Sequence, residues 1–158
     1  MKRKILAFAV VPMLLLTGVG CSSKDKPVDS KTSIEQNKKE DYRTNLAYLM
    51  KDISEQSQVI SNVLTSQKSV EEKQKEYEKV SKDLLKTSDK VKKLKYEEKY
   101  KDAQFTVETA MGLLDMSIKL VGDGLEMKDQ KMMELGNDAV TKASKKLNEA
   151  NKMMEEIK

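Results

Sequence analysis

Residues 69–94, SVEEKQKEYEKVSKDLLKTSDKVKKL, decide the fold class of this chain. Ser69 and Glu72 have the spacing of a capping box, in which the serine hydroxyl accepts from the amide of residue 72 and the carboxylate reaches back. Apolar residues then recur at heptad spacing on one helical face: Val70, Tyr77, Val80, Leu84, Val91 and Leu94. The stretch predicts a helix over 69–94 with one face that must be buried against other helices.

The segment before it has a similar pattern. Between Tyr42 and Leu64 the apolar residues recur three and four positions apart, which predicts a helix over 38–66. Thr32 to Glu35 has capping-box form and offers an earlier start. The centre of this helix, Ser54 to Gln58, is polar where the apolar face should cross. Two interpretations stay open, a polar layer tolerated in the core or a groove for a partner.

After residue 94 the apolar positions change phase. One continuous helix would bring Glu98 and Lys101 into the core, whereas the apolar residues that follow start at Tyr96 and Tyr100. This predicts a tight turn at 94–96 and a third helix over 96–124, with a single long helix as the alternative. Two glycines in the sequence Gly122-Asp123-Gly124 are expected to end the third helix.

A fourth helix is predicted over 129–157, with Asp129 as its N-cap. Its small residues, such as Gly136 and Ala143, should let a neighbouring helix approach closely. All four predicted helices have a length of about 40 Å at 1.5 Å per residue, and their connections are short. The sequence therefore predicts an all-α domain over 38–158, an up-down-up-down antiparallel four-helix bundle.

The first 21 residues differ in composition from the predicted bundle. Met1 to Lys4 is cationic, Ile5 to Leu16 is almost uninterruptedly apolar, and small residues lead to Cys21, the only cysteine of the chain. This order predicts a secretory signal. A signal that ends on a lone cysteine resembles the lipoprotein class, in which the thiol receives a diacylglycerol and the chain is cut just before it.

The lipoprotein resemblance implies three segments. Residues 1–20 are the signal peptide, residues 21–37 are the lipidated cysteine and a flexible linker, and the bundle follows on the outer face of the cell membrane. The class prefers a branched apolar residue three positions before the cysteine, where this chain has Gly18, so slower cleavage is expected. The alternative is an uncleaved membrane anchor, but the apolar run is shorter than the roughly 20 residues that a spanning helix needs.

Composition argues against several classes of function. Without Lys2, Arg3 and Lys4, 27 basic residues face 26 acidic ones, so a nucleic-acid partner is not expected. The chain has no histidine and no second cysteine, which leaves no Ser-His-Asp triad, no Cys-His pair and no zinc ligand set. Phosphate-binding glycine loops and calcium loops are missing from the sequence as well. We expect neither an enzyme nor a bound cofactor.

Methionine is the one unusual residue usage, and most of it falls in the second half of the chain. Thioethers bind Cu(I), but they also fill helical cores and adaptable partner surfaces. A metal (Cu(I)) or small-ligand binding lipoprotein is therefore the alternative to a protein-binding one. The methionines concerned are Met111, Met116, Met127, Met132, Met133, Met153 and Met154.

Residues 95–157 resemble the C-terminal helical hairpin of small uncharacterised cell-envelope lipoproteins of Gram-positive bacteria. The resemblance rests on a tyrosine-containing helix start, a Gly or Asp near the middle turn and an alanine-rich last helix: Tyr96, Tyr100, Gly122, Asp129, Ala139, Ala143 and Ala150. A signal that ends on a lone cysteine, a plain bundle and the lack of a catalytic constellation together predict a membrane-anchored, non-enzymatic protein-interaction module with an envelope protein as partner. Some such lipoproteins act in exclusion or immunity at the host envelope.

Charge is unevenly distributed along the predicted bundle. Nine lysines lie between Lys79 and Lys101, whereas eight acids and three lysines lie between Asp102 and Val140. The bundle should therefore have a basic end, on the side of the lipid anchor and against anionic headgroups. The acidic tip at the other end should face the partner with Asp123, Leu125, Met127 and Met133. The alternative is a solvated charge pattern without a role.

Overall fold

The computed structural model describes residues 41–157, which form four α-helices and no β-strand. The helices are α1 (Tyr42–Thr65), α2 (Val70–Lys92), α3 (Lys101–Met127) and α4 (Gln130–Glu156), with one turn of 3-10 helix at Glu98–Tyr100 before α3. Contacts between the first turn of α1 and the last turn of α4 place these two ends together. The predicted all-α, up-down-up-down four-helix bundle is confirmed.

Predictions that concern residues 1–40 lie outside the described residues. These are the signal peptide, Cys21, the linker and the earlier start of the first helix at Thr32. Within the described part, α1 begins at Tyr42 with Asp41 at its N-cap position.

Helices that follow one another in the chain pack together, and α3 with α4 is the closest pair. Gly136 explains this closeness, because a Cβ atom there would lie 2.6 Å from Cγ2 of Val121 and 3.2 Å from the carbonyl oxygen of Ser117. Only a residue without a side chain fits between these atoms. The predicted use of small residues for close helix approach is confirmed at this position. In contrast, α1 and α4 come close at few points.

The core lies between all four helices and follows the predicted stripes. Its most buried large side chains are Leu46 and Ile53 of α1, Leu84 of α2 and Met111 of α3. Burying such side chains provides most of the stability, at roughly 2 kcal/mol each. The end of α4 contributes Ala150 and Met154 to the same cluster.

The capping box at the start of α2 is confirmed. The hydroxyl of Ser69 accepts from the amide of Glu72 at 3.3 Å, and the Glu72 carboxylate accepts from the amide of Ser69 at 3.0 Å. Hydrogen bonds from Ser69 hold the pKa of Glu72 below its ordinary value. The chain turn into α2 is thus determined by a few neighbouring residues.

The connection from α2 to α3 differs from the prediction. The structure has no tight turn at 94–96 and no continuous helix: α2 ends at Lys92, and α3 begins at Lys101 instead of 96. The reason is aromatic packing, because the connection folds back over the start of α1. The ring of Tyr42 lies 4.8 Å from that of Tyr100 and 6.3 Å, edge-on, from that of Tyr96.

The end of α3 also differs from the prediction. The helix continues through Gly122 and Gly124 to Met127, and Lys128 takes the left-handed conformation with a φ of 55°. The amide of Asp129 donates to the carbonyl of Gly124 at 2.8 Å, which makes this turn a Schellman motif. Gly124 serves close approach instead, since a Cβ there would lie 2.7 Å from Cγ of Met133. Asp129 caps α4 as predicted.

Candidate interaction surfaces

The outer face of α3 carries large apolar side chains that are open to solvent. Phe105, Met116 and Met127 expose 70%, 55% and 67% of their surface. They are eleven residues apart, which is close to three helical turns, so they lie on one side of α3. We call these residues, together with Gly112 between them, the α3 stripe.

Gly112 leaves a gap in the middle of the α3 stripe. A Cβ atom built there would have no atom within 4 Å, whereas the same test at Gly136 finds three. The stripe therefore presents Phe105 on one side and Met116 on the other side of Gly112, a position with no side chain. Neighbouring side chains of the stripe lie about 16 Å apart along the helix, so they form separate apolar contact points on one side of α3 rather than one continuous patch.

The four residues predicted to form the tip do not share one environment. Leu125 is 5% exposed and belongs to the core, and Met133 is half-buried and packs against the core. Asp123 is partly exposed, and Met127 is open to solvent and belongs to the α3 stripe. Leu125 and Met133 turn inward because α3 continues past Gly124, which gives its last turn a buried face. The surface near the tip thus consists of Asp123 and Met127.

The other methionines have mixed positions. Met111 and Met154 are buried in the core, whereas Met132, Met133 and Met153 are half-buried. The Met153 sulfur lies 3.6 Å from the hydroxyl oxygen of Thr106, which donates to the carbonyl of Asp102 at 3.0 Å. In residues 41–157, no group of three or more His, Cys, Asp or Glu side chains is placed to hold a metal ion. Copper binding through thioethers stays a prediction.

A buried polar network joins α1, α2 and α3 near the packed rings of Tyr42, Tyr96 and Tyr100. The hydroxyl of Tyr42 donates to Oε1 of Gln104 at 2.7 Å, and Nε2 of Gln104 donates to the carbonyl of Val91 at 3.1 Å and to Glu108 at 3.0 Å. Burial, and then the charge of Glu108, raises the pKa of Tyr42. Because each polar atom of the Gln104 amide is satisfied, we regard this network as structural.

The proximal end of the bundle is the end where α1 begins, α4 ends and α2 connects to α3. Several of the lysines predicted to make this end basic are neutralised in pairs. Lys92 contacts Asp89 and Asp115. Lys99 lies 3.4 Å from Glu97, and Lys101 lies 3.0 Å from Glu98.

Four other lysines at this end are free of acidic partners among residues 41–157. They are Lys90, Lys93 and Lys95 at the end of α2 and in the connection, and Lys152 near the end of α4, all exposed. Arg43 faces inward instead: its Nη2 atom donates to carbonyl oxygens at the end of α4, and its guanidinium lies 5.4 Å from the ring centre of Tyr100. The basic surface is therefore smaller than the sequence predicts. The sequence also predicts Lys38, Lys39 and Lys158 at the basic end, and these three lie outside the described residues.

The polar centre of α1 contains buried polar atoms. Buried oxygens of Gln56 and Ser57 have no hydrogen-bond partner among the described residues, and the same is true of Ser144 on α4. The bonds from Arg43 to the end of α4 set an antiparallel alignment that brings these positions to one level. This arrangement agrees with a polar layer between α1 and α4. It does not identify a partner groove.

A shallow cleft of about 190 Å³ lies between α2 and α3. Tyr77 forms part of its wall, donating its hydroxyl to the carbonyl of Ile118 at 2.9 Å, and its ring would lie 3.4 Å from a Cβ at Gly122. Burial raises the pKa of Tyr77, which keeps its proton on the oxygen. The charged residues at the cleft are Glu78, Lys119, Asp123 and Glu126. No hydrogen-bond donor or acceptor in this cleft is both buried and unpaired, so the cleft gives little basis for a ligand site.

Two further findings bear on function. Within residues 41–157, none of the helices combines the length and the hydropathy that crossing a bilayer requires. Comparison of the chain with protein-family models, curated proteins and solved structures finds no match.

Proposed function

We propose that this chain is a lipid-anchored, extracytoplasmic lipoprotein whose helical bundle binds an envelope protein and performs no catalysis. The anchor part rests on residues 1–21, which end in the only cysteine of the chain. In this proposal the Cys21 sulfur attacks the glyceryl carbon of a phospholipid that carries the headgroup. The thioether C–S bond forms, the C–O bond to phosphate breaks, the headgroup leaves as a phosphate ester and the thiol proton goes to solvent. The peptide bond before Cys21 is then hydrolysed.

The observation that carries the binding part is the α3 stripe. A helix that packs only against its own bundle should present charged and polar residues to solvent. On α3, Phe105, Met116 and Met127 are exposed instead, and the gap at Gly112 lets a partner backbone or side chain approach between them. Methionine and phenylalanine are enriched in interface cores, and methionine adapts to different partner shapes.

The anchor part is tested by Cys21→Ser. The expected result is release of the protein from the membrane fraction, because one apolar run of this length without lipid is a weak anchor. Mass spectrometry of the natural chain should show the diacylglyceryl addition on a polypeptide that begins at Cys21. Retention of the Cys21→Ser variant after a high-salt wash contradicts lipid anchoring.

The binding part is tested by photo-crosslinking in intact cells. A photoreactive amino acid at Gly112 should give one discrete adduct with an envelope protein, and Met116→Glu in the same chain should abolish that adduct. The matched control has the photoreactive group at Asp83, an exposed position on α2. A crosslink pattern shared by both positions, or one that survives Met116→Glu, contradicts a binding role for the stripe.

A further inference from the structure

We propose that the α2–α3 connection at the proximal end is a docking surface for anionic lipid headgroups, with Lys90, Lys93 and Lys95 as its cations and Tyr96 as its interfacial aromatic residue. We call these four residues the loop patch. The proposal rests on the lipid anchoring described above and adds to it the surface that touches the bilayer and the lipid chemistry that it recognises.

The position of the loop patch favours contact with the membrane. Asp41 is where the chain from Cys21 enters the bundle, and the neighbouring Tyr42 lies edge-on against Tyr96 at 6.3 Å between ring centres. The loop patch is thus beside the point of attachment. A linker of the length predicted for residues 21–37 has an average reach on the order of 20 Å, which keeps this end close to the membrane.

Charge also favours contact with headgroups at this corner. Three of the acids on this side of the proximal end are already paired, Asp89 with Lys92, Glu97 with Lys99 and Glu98 with Lys101, and Asp102 is the exposed acid without an ion pair. Lys90, Lys93 and Lys95 have no acid within ion-pair distance in the part of the chain that the structure describes, so their charge is available to headgroups. Across the same end, the exposed acids Asp41, Glu155 and Glu156 outnumber the exposed Lys152, so that side would be repelled by anionic headgroups. The bundle should therefore tilt so that the α2–α3 connection lies nearest to the membrane.

Tyr96 gives the loop patch an aromatic residue suited to a bilayer interface. Tyr96 is 43% exposed although its ring packs against Tyr42, so it presents a fixed amphipathic edge rather than a free side chain. Tyrosine is enriched at bilayer interfaces because its ring prefers the apolar side and its hydroxyl the wet side. The rings of Tyr42 and Tyr100 hold this edge in place, and little side-chain freedom is lost when it docks.

The test uses the lipidated full-length protein reconstituted in vesicles, with an environment-sensitive dye on Glu97→Cys, next to the loop patch. The matched control carries the dye on Gln67→Cys, in the exposed α1–α2 connection at the opposite end. On vesicles with phosphatidylglycerol we expect the dye at 97 to shift to the blue and to be quenched by lipids with a headgroup-level quencher. The dye at position 67 should show neither effect. On neutral vesicles, the blue shift and the quenching of the dye at position 97 should both be smaller.

Replacing all three lysines by glutamine should lower the ratio of docked to undocked domains on the order of a hundredfold, at about fivefold per lysine. The signal at 97 should then fall to that of the control. Equal signals at 97 and 67 on anionic vesicles overturn the proposal, as does a signal that the lysine substitutions leave unchanged.

The same samples separate this proposal from the proposed function. A thioether at Cys21 cannot react with the dye, so labelling of the natural chain shows that the thiol is free and lipid anchoring has failed. In that case flotation of the protein with phosphatidylglycerol vesicles, abolished by the lysine substitutions, still supports the loop patch, whereas absence of flotation overturns it.

Discussion

Arg43, in the first turn of α1, donates through Nη2 to the carbonyl oxygen of Met154 in the last turn of α4, at 2.6 Å. A second bond from the same atom reaches Ile157 at 2.7 Å. Carbonyl groups at the end of a helix lack partners inside that helix and attract cations. Arg43 therefore caps α4 from another element, and it does so where α1 and α4 otherwise have few close contacts.

Arg43→Met should lower the free energy of unfolding by about 2 kcal/mol, because the charged donor is lost and the carbonyl oxygens of Met154 and Ile157 lose its hydrogen bonds. Arg43→Lys should recover part of this loss. Chemical denaturation monitored by circular dichroism measures both. Equal stability of Arg43→Met and the natural protein would show that these bonds do not hold α1 to α4.

Glycine-to-alanine changes at two helix positions should have opposite effects. Gly112→Ala should stabilise the bundle by about 0.5–1 kcal/mol, since alanine is the better helix former and its Cβ meets open space. Gly136→Ala should destabilise it by about 1 kcal/mol net, because contact with Val121 and the Ser117 carbonyl outweighs the same gain. Thermal unfolding of the two variants side by side checks the signs, and the same sign in both would contradict the packing described for α3 and α4.

Lys128→Gly should raise the melting temperature by about 4 °C, because residue 128 has a left-handed conformation that costs free energy for any residue with a side chain. The ion pair of Lys128 with Glu71 at 2.8 Å opposes this gain, but both side chains are well exposed. Glu71→Gln removes the pair and keeps the backbone, and it is the control. A melting temperature of Lys128→Gly below that of the natural protein would show that the ion pair outweighs the backbone strain. A melting temperature no higher than that of Glu71→Gln would show that the left-handed backbone is not strained.

Stability should decline above about pH 10, and Tyr77 should account for part of the decline. Burial raises the pKa of Tyr77 in the folded state, so the unfolded chain loses this proton first as the pH rises. The stabilising contribution is complete below the unfolded pKa and is lost towards the folded one. Tyr77→Phe should cost stability at pH 7, where the bond to Ile118 is missing, and this cost should shrink above pH 10. Urea unfolding at both pH values measures the difference; a cost that is the same at both contradicts the linkage.

The parts of the fold that follow from neighbouring residues were predictable. Ser69 and Glu72 determine the start of α2 among themselves, Asp129 does the same for α4, and the apolar periodicity gives the number of helices. The α2–α3 connection was not predictable in this way, because its path depends on Tyr96 and Tyr100 packing against Tyr42. The inward position of Arg43 was not predictable for a similar reason, since its acceptors lie at the far end of the chain.

The candidate surfaces were predictable in part. Met127 was expected at the tip, but Leu125 and Met133 are packed inward because α3 is longer than its glycines suggested. The α3 stripe was missed, although the sequence contains a signal for it: Phe105, Met116 and Met127 recur every eleven residues. That spacing differs from the core periodicity in phase only, and the two can be separated only once the buried face of α3 is known.

The bonds made by Arg43 also bear on how the chain folds. They join residues 111 and 114 positions apart, whereas the main helix pairs are neighbours in the chain. Local pairs form fast, and closing a long loop carries an entropy cost that grows with its length. The helical hairpins should therefore assemble first, and the hydrogen bonds from Arg43 to the end of α4 should form last. A nascent chain cannot complete its fold until the final turn of α4 has left the ribosome.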